Sequence, residues 1–265
     1  MGLYQNRIVV KVGTSTLTNE MGKNNLRSFD RLACTLSDVQ NMGYEVILVS
    51  SGAIAVGSNK LQMKIRPASM RLKQGAAAVG QCSLILFYGK FFGAYDKTIA
   101  QILLNAEDVE QEEKKGNLVN TFNSLLEMGI IPIVNENDSV SYTEIESADR
   151  LFGDNDMLSA VVAVLCQAKK LVIFSDIDGL YDRDPRLYPK ARLIPRIEHI
   201  DDSIYAMGGG AGSRRGTGGM KTKLRAAELA TTQGIDTIIT NGKNPAALYD
   251  ITKGGSVGTL FIGKT

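Results

Sequence analysis

The stretch from 214 to 224, RRGTGGMKTKL, places three glycines among four cationic side chains. From Gly219 onward, Met220 and Leu224 fall on one face of a predicted helix. Thr217 precedes this helix as a candidate N-cap. Cations near a helix N-terminus are unfavourable by up to about 1 kcal/mol each unless an anion lies among them, and glycines let backbone N–H groups approach that anion. The stretch predicts a phosphate-binding loop, with a solvated basic loop as the alternative.

Two further loops follow predicted strands and are rich in glycine and hydroxyl groups. Lys11 interrupts the first apolar strand just before Gly13, at a position where a charged side chain is costly to bury without a partner. Ser51, Gly52 and Ala53 lie in the stretch SSGAIAVG, a strand-to-helix turn whose free N–H groups can bind a carboxylate or a phosphate. The alternatives are a surface lysine and a plain serine helix cap.

Acidic and amide side chains cluster in two other segments, NENDSV (135–140) and FGDNDMLSA (152–160). Their carboxylates are those of Glu136, Asp138, Asp154 and Asp156. Helix capping is the alternative for Asp154 or Asn155. Capping does not explain two acidic clusters at successive strand ends. These groups suit a magnesium ion, an ammonium group or the positioning of lysines.

The residue types argue against several reaction classes. His199 is the one histidine, so a histidine metal site is excluded, and no GxSxG motif accompanies it to build a Ser-His-Asp triad. The segment GTLFIGKT (258–265) matches the P-loop expression, but no helix follows it to hold a phosphate, so we interpret it as a strand. Separated lysines, glycine loops and carboxylates without a histidine base favour phosphoryl transfer, whose transition state needs charge neutralisation and alignment.

The composition narrows the partners and the location. The chain has 265 residues, a net charge of +2 and no tryptophan, which does not favour nucleic acid as a partner. Its three cysteines lie far apart and predict neither a disulfide framework nor a zinc site. Because neither a signal peptide nor a membrane-spanning run is recognised, we expect no membrane association and a cytoplasmic protein.

The elements that position these residues alternate between short apolar strands and helical patterns. The predicted strands are 7–13, 45–50, 97–104, 131–136, 170–176 and 236–240. The predicted helices are 28–43, 117–129, 155–169 and 220–234. Continuous rather than alternating hydrophobicity indicates strands buried on both faces, which is typical of a mainly parallel sheet between helix layers. We expect one α/β domain over 1–265, with its chemistry at the carboxyl ends of the strands.

Taken in order, the motifs resemble the amino acid kinase family over essentially the whole chain. They are VVKVGTSTLT (9–18), VSSGAIAVG (49–57), KQGAAAVGQ (73–81), IPIVNENDSV (131–140), GDNDMLSA (153–160), FSDIDGLYDRDPR (174–186), GTGGMKTKL (216–224) and GIDTIIT (234–240). The resemblance implies a three-layer αβα sandwich with a mostly parallel, open central sheet. Many longer members continue into a C-terminal PUA domain, and by this resemblance we expect a short form that consists of the kinase domain alone.

The resemblance also implies an activity, which is phosphorylation of the γ-carboxylate of L-glutamate by ATP with Mg²⁺, the first step of proline biosynthesis. Lys11 and Lys223 would neutralise charge on the transferred phosphoryl group, and Asp156 would hold both lysines. The residues implied for substrate binding are Ser51, Gly52, Ala53, Asn135, Asp138 and Asn155. Those implied for ATP binding are Lys11, Gly13, Ser175, Asp176, Thr217, Gly218, Gly219, Met220, Lys221, Thr222 and Lys223. A homo-oligomer, dimer or tetramer, and hand-off of the product to a glutamyl phosphate reductase are the partners implied.

Both the substrate and the class of function have alternatives. Asp138 can pair with the α-ammonium of glutamate, whereas N-acetylglutamate lacks this cation and would leave the carboxylate unpaired. Aspartate and uridylate are further substrates within the family. A non-catalytic amino-acid sensor is the alternative from another class, and loss of Lys11, Asp156 or Lys223 would support it. All three residues are present.

Overall fold

The computed structural model describes residues 4–19, 23–63, 65, 67–140, 154–209 and 219–264. Within them, one sheet contains eight strands. These are β1 (Tyr4–Val12), β2 (Glu45–Ser50), β3 (Ile99–Leu104), β4 (Ile131–Glu136), β5 (Ala168–Ser175), β6 (Arg196–Ile197), β7 (Asp236–Asn241) and β8 (Thr259–Phe261). All six predicted strands are present, with ends that differ by a few residues. The strand β8 lies within the GTLFIGKT segment, as its interpretation as a strand requires.

The helices of the same part of the chain connect and cover the strands. They are α1 (Thr14–Leu17), α2 (Leu26–Asn41), α3 (Ala53–Lys60), α4 (Met70–Gly93), α5 (Ala106–Glu110), α6 (Glu112–Glu127), α7 (Asn155–Leu165), α8 (Asp202–Met207), α9 (Met220–Thr232) and α10 (Ala247–Thr252). The side chains of Asn25, Ser69 and Asp154 accept hydrogen bonds from first-turn N–H groups of α2, α4 and α7. Short polar side chains begin helices in this way because the first N–H groups have no intrahelical partner.

Two helix predictions need correction. The predicted helix 155–169 is too long, because α7 ends at Leu165 and the chain turns through Gln167, at a positive φ of 52°, into β5. The long helix α4 is absent from the predictions. Its KQGAAAVGQ stretch is rich in alanine and glycine, so it lacks the apolar spacing that identifies an amphipathic helix.

The sheet order is β3-β4-β2-β1-β5-β7-β8-β6. Every neighbouring pair from β3 to β7 is parallel, β8 is antiparallel to β7, and β6 is parallel to β8. The prediction of a mostly parallel, open sheet is confirmed. Because β4, β2, β1 and β5 are adjacent, the loops after their carboxyl ends lie side by side at one edge.

Helices cover both faces of the sheet. Along β1, Val9 packs into a core with α6, α7 and α9, whereas its neighbours Ile8 and Val10 pack into a second core with α2, α4 and α10. Successive side chains of a strand point to opposite faces, so two apolar faces require two helix layers. The prediction of a three-layer αβα sandwich is confirmed.

Helices α3 and α4 cross with their backbones in contact. A Cβ atom added at Gly57 would overlap the carbonyl oxygen of Ala76, and one added at Gly80 would overlap that of Ala53. Only glycine allows this approach, because any side chain would separate the two helices. The crossing places Ala53, the first residue of α3, directly beyond the end of β2.

In the described part of the chain, α4 is the one helix long and apolar enough to cross a membrane, judged by length and composition alone. These criteria also select core helices of soluble proteins, so they are weak evidence for a span. Residues including Tyr88 and Phe92 are buried in the core beside α2. The sequence prediction that no run reaches membrane-spanning length is therefore too strict, and α4 packs among the helices that cover one face of the sheet.

Candidate active site

Two buried lysines share one buried carboxylate at the centre of the carboxyl edge. The ammonium of Lys11, near the end of β1, lies 2.6 Å from Oδ1 of Asp156 in the first turn of α7. The ammonium of Lys223, in the first turn of α9, lies 2.9 Å from Oδ2 of the same carboxylate. The exposed fractions are 4% for Lys11, 7% for Lys223 and 0% for Asp156. The three predicted catalytic residues therefore form one cluster, although their roles stay predictions.

Electrostatics keep this cluster charged. Burial alone would raise the pKa of Asp156, but the two lysines outweigh burial and hold that pKa well below its usual range. Burial alone would lower the pKa of Lys11, but Asp156 and Asp154 outweigh it and raise that pKa. With two ammonium groups on one carboxylate, the cluster retains net positive charge. Such charge, positioned before substrate arrives, attracts phosphate oxygens.

The turn after β2 lies beside the end of β1, the strand that carries Lys11. The N–H of Ser51 donates to the carbonyl of Val12 at 3.0 Å, which ties this turn to the end of β1. Gly52 is the N-cap of α3 and has a φ of 102°, a left-handed conformation that favours glycine. Ala53 follows as the first helical residue. The predicted turn is therefore present, with its first N–H groups at a helix N-terminus.

A chain of hydrogen-bonded side-chain amides, Gln81, Asn135 and Asn155, runs beside this turn. The Nδ2 group of Asn155 donates to Oγ of Ser51 at 3.0 Å and to Oδ1 of Asn135 at 2.9 Å. The Nδ2 group of Asn135 donates to Oε1 of Gln81 at 2.8 Å. Asp138 lies two residues beyond β4 and is half-buried. The structure thus brings Ser51, Asn135 and Asn155 into direct contact, and Asp138 follows on the same strand end.

A cleft of about 510 Å³, including its open mouth, lies on the other side of Lys223. Its walls contain Ser175, Asp176, Ile177, Leu180, Tyr181, Arg183, Asp184, Pro185, Arg186, Met207, Gly208, Gly219, Met220 and Lys223. Because Lys223 belongs to both the cleft and the buried cluster, a molecule in the cleft would contact the cluster at this ammonium.

The predicted ATP-binding residues do not all lie in the cleft. Ser175, Asp176, Gly219, Met220 and Lys223 line the cleft, and Gly13 lies next to the ammonium of Lys11. Lys221 is exposed, and Thr222 contacts the Asp156 carboxylate at 2.9 Å instead of lining the cleft. Thr217 and Gly218 lie outside the described residues. The N-cap of α9 is Gly219, so the expectation that Thr217 caps this helix is wrong.

One carboxylate oxygen of Asp154 is available as a ligand for a magnesium ion. Its Oδ1 atom caps α7, while its Oδ2 atom is buried without a hydrogen-bond partner in the described part of the structure. Burial and the neighbouring Asp156 raise the pKa of Asp154, although Lys11 and Lys223 oppose that rise. Among the described residues, no group of three or more acidic, cysteine or histidine side chains could hold a metal ion. This arrangement fits Mg²⁺, which is often bound by one or two carboxylates plus substrate phosphates.

Sequence reasoning missed two residues that the structure brings to the site. Gln81 ends the quoted motif KQGAAAVGQ, but α4 was not predicted, so nothing directed its side chain toward Asn135. Arg186 ends the quoted motif FSDIDGLYDRDPR, and its Nη2 group lies 2.7 Å from Oδ2 of Asp176 in the cleft wall. Both residues belong to motifs quoted from the sequence, but only their contacts in the structure show that they are part of the site.

The fold and the site together define a kinase of small molecules. The chain belongs to the amino acid kinase family, whose family model matches residues 6–241. Among named relatives, it is 54% identical over 258 residues to the glutamate 5-kinase of Clostridium perfringens, covering 97% of this chain and 96% of that protein. It is 47% identical over 256 residues to the glutamate 5-kinase of Enterococcus faecalis, covering 97% and 94%.

Solved structures support the fold. The carbamate kinase of Giardia lamblia, bound to AMP-PNP, aligns with a TM-score of 0.68 at 16% identity and covers 97% of this chain and 98% of that one. The UMP kinase of Bacillus anthracis aligns with a TM-score of 0.65 at 14% identity and covers 98% and 97%. At such low identity, these similarities concern the architecture alone.

Proposed function

We propose that this protein transfers the γ-phosphoryl group of ATP to the γ-carboxylate of L-glutamate, giving L-glutamyl 5-phosphate for proline biosynthesis. The observation that carries the proposal is the buried Lys11–Asp156–Lys223 cluster, which lies between the cleft and the Ser51 turn. The glutamate 5-kinases that match nearly the whole chain support the same activity.

The cluster suits this reaction because the acceptor needs no general base. A free γ-carboxylate has a pKa near 4.3, so it is already ionised at neutral pH. One of its oxygens attacks the γ-phosphorus, the bond to the bridging oxygen of ADP breaks, and ADP leaves with the electron pair. The ammonium groups of Lys11 and Lys223 neutralise charge on the phosphoryl oxygens, while Asp156 holds both lysines in position.

The flanking residues have complementary roles in the proposal. The cleft lined by Ser175, Asp176 and Met220 binds the nucleotide, and Ser51, Asn155 and Asp138 bind glutamate. Asp138 supplies a negative charge for the α-ammonium, which favours glutamate over N-acetylglutamate. A magnesium ion bound with ATP would be held by Asp154 and would supply further neutralisation of phosphate charge.

The reaction is tested by trapping the acyl phosphate with hydroxylamine in the presence of ATP and Mg²⁺. L-glutamate, N-acetylglutamate, aspartate and uridylate are compared, with ADP release as the readout for uridylate. We expect hydroxamate from L-glutamate, and we expect Lys223→Met to reduce its rate by about 10³-fold, because removal of a transition-state cation has an effect of this size.

The matched control is Lys253→Met, which removes an exposed lysine at the end of α10 and should leave the rate unchanged. Turnover of another acceptor alone would retain phosphoryl transfer and refute the role of Asp138. Glutamate binding without any turnover would identify a sensor instead of an enzyme.

We also propose that the protein forms a homo-oligomer through α4. This helix carries exposed apolar side chains, including Leu72 and Leu86, the latter 70% exposed. Exposed apolar side chains on one helix are a candidate surface for protein–protein contact, and the measurement below tests whether they serve as one. Light scattering should give a dimer or tetramer for the unmodified chain and a smaller species for Leu86→Lys. A monomeric unmodified chain would contradict the proposal.

The acyl phosphate product is labile, so direct hand-off to the glutamyl phosphate reductase in the cytoplasm would protect it. This hand-off is a proposal that follows from the chemistry of the product. Co-purification with the reductase would support it. Failure to associate, together with flux that does not depend on contact between the two proteins, would count against it.

A further inference from the structure

The chain of side-chain amides begins at Gln81 on α4 and ends at Ser51 in the turn after β2, which the proposed function assigns to glutamate. We propose that Gln81 is a positioning residue: by accepting from the buried Nδ2 group of Asn135, it keeps Asn135, and through it Asn155, in the orientations that neighbouring backbone groups select, and so preserves the hydrogen-bond donors and acceptors of the glutamate site. The inference rests on the proposed function, since it concerns how the same site recognises the α-ammonium and the carboxylates of an amino acid.

The backbone determines the orientation of Asn135. The N–H of Glu136 donates to Oδ1 of Asn135 at 2.9 Å, and a backbone N–H can only donate. The atom it contacts must therefore be the amide oxygen, which leaves Nδ2 facing Gln81. Because Nδ2 can only donate, Gln81 must present Oε1, as it does at 2.8 Å.

The backbone also determines the orientation of Asn155, independently of Asn135. The carbonyl oxygen of Ser50 lies 3.1 Å from Nδ2 of Asn155, and a carbonyl can only accept. The same Nδ2 group meets Oδ1 of Asn135 at 2.9 Å, an atom already identified as an acceptor. Two separate backbone contacts thus give one consistent pattern of donors and acceptors from Gln81 through Asn135 to Asn155.

This pattern has a consequence for the ligand. The two N–H groups of Asn155 Nδ2 are shared among three nearby acceptors, so its Oδ1 atom, on the other side of the amide carbon, is the atom that can accept from an ammonium group. Ser51 accepts from Asn155 through a lone pair, so its hydroxyl hydrogen can be donated to a carboxylate. The site therefore offers an acceptor and a donor to a molecule that carries both charges.

Gln81 is needed because the Asn135 amide is buried. Asn135 is 1% exposed and Gln81 is 9% exposed, so water cannot readily replace a lost acceptor. Without Oε1 of Gln81, Nδ2 of Asn135 would be a buried donor with no partner, which strongly disfavours the present orientation. The Asn135 side chain would then shift to give Nδ2 another partner, which weakens the contact between its Oδ1 atom and the Asn155 amide even though the backbone groups of Glu136 and Ser50 still select the same orientations.

The test compares L-glutamate with glutarate, which has both carboxylates and no amino group. Gln81→Met keeps the length and apolar volume of the side chain but removes the strong acceptor. We expect the ratio of kcat/KM for glutamate to that for glutarate to fall about ten-fold, the size of effect that loss of one hydrogen bond to a charged group produces. The KM for ATP should not change.

Two further variants separate positioning from stability. Gln81→Glu retains a carboxyl oxygen as acceptor and should keep more of the preference for glutamate than Gln81→Met. Leu84→Val removes one methylene group from a buried side chain on the same helix and should lower the melting temperature without changing the ratio. Equal losses for both substrates in Gln81→Met, as for a purely structural change, would overturn the inference.

The unmodified enzyme distinguishes this failure from failure of the proposed function. Absence of hydroxamate from L-glutamate would refute the function itself. Normal turnover with an unchanged glutamate-to-glutarate ratio in Gln81→Met would refute only the role of Gln81. Stabilisation against heat by glutamate, compared with glutarate, reports the same preference without requiring turnover.

Discussion

Replacing Asp156 with asparagine is expected to lower the free energy of unfolding by about 3–5 kcal/mol and to reduce kcat by at least about 10³-fold. The carboxylate has no exposed surface and contacts two ammonium groups that are themselves buried. Asparagine keeps the shape but leaves two buried cations without a counter-charge. The lysines would then repel each other and move away from the phosphoryl group.

Urea unfolding and hydroxamate formation measure the two effects of this substitution. The control is Glu112→Gln, which breaks the exposed pair with Lys115 at 3.2 Å and should change neither measurement, since exposed ion pairs contribute little. In the double variant Asp156→Asn with Lys223→Met, one uncompensated cation is removed. We expect part of the stability to return without any return of activity. Strictly additive losses of stability would contradict the charge argument.

Replacing Gly80 with alanine should have the next largest effect on the free energy of unfolding, although only a methyl group is added. That methyl group would overlap the carbonyl oxygen of Ala53 at the start of α3. Because this oxygen belongs to the backbone and cannot rotate away, the two helices must separate, at a cost of about 3 kcal/mol. Displacement of α3 would also move Ser51 and Gly52, so the KM for glutamate should rise while the KM for ATP changes little.

Gly75→Ala, on the same helix, is the matched control for this substitution. A Cβ atom at Gly75 meets nothing within 4 Å, so alanine should stabilise the helix by about 0.5–1 kcal/mol through its higher helix propensity. Denaturant unfolding of the two variants should therefore give shifts of opposite sign. Similar shifts for both positions would mean that general helix propensity, and not the crossing, governs these glycines.

The sequence alone determined the architecture and the residue types of the site. Continuous apolar runs such as 131–136 indicated strands buried on both faces, and a sheet with two buried faces requires two helix layers. The polar residues at or just after the ends of those runs, including Lys11, Ser51 and Asn135, had to lie at one edge because parallel strands share their carboxyl ends. Local pattern sufficed here because burial and strand direction are properties of each segment.

Contacts between distant segments were decided only by the tertiary structure. Pattern and spacing do not pair Lys11 with Asp156 and Lys223, a contact that only the family resemblance implied, since their separation in space depends on how β1, α7 and α9 pack. Nor does it distinguish Gly80 from Gly75, which occupy the same helix and differ only in what lies opposite.

The orientation of the amides also depends on the tertiary structure. The residue types at Gln81, Asn135 and Asn155 provide donors and acceptors, but backbone groups of Glu136 and Ser50 decide which atom faces which partner. A side-chain amide can present either end to a neighbour, so its direction depends on the buried groups around it. The sequence supplied the chemical groups of this site, and packing set their polarity because buried donors must meet acceptors.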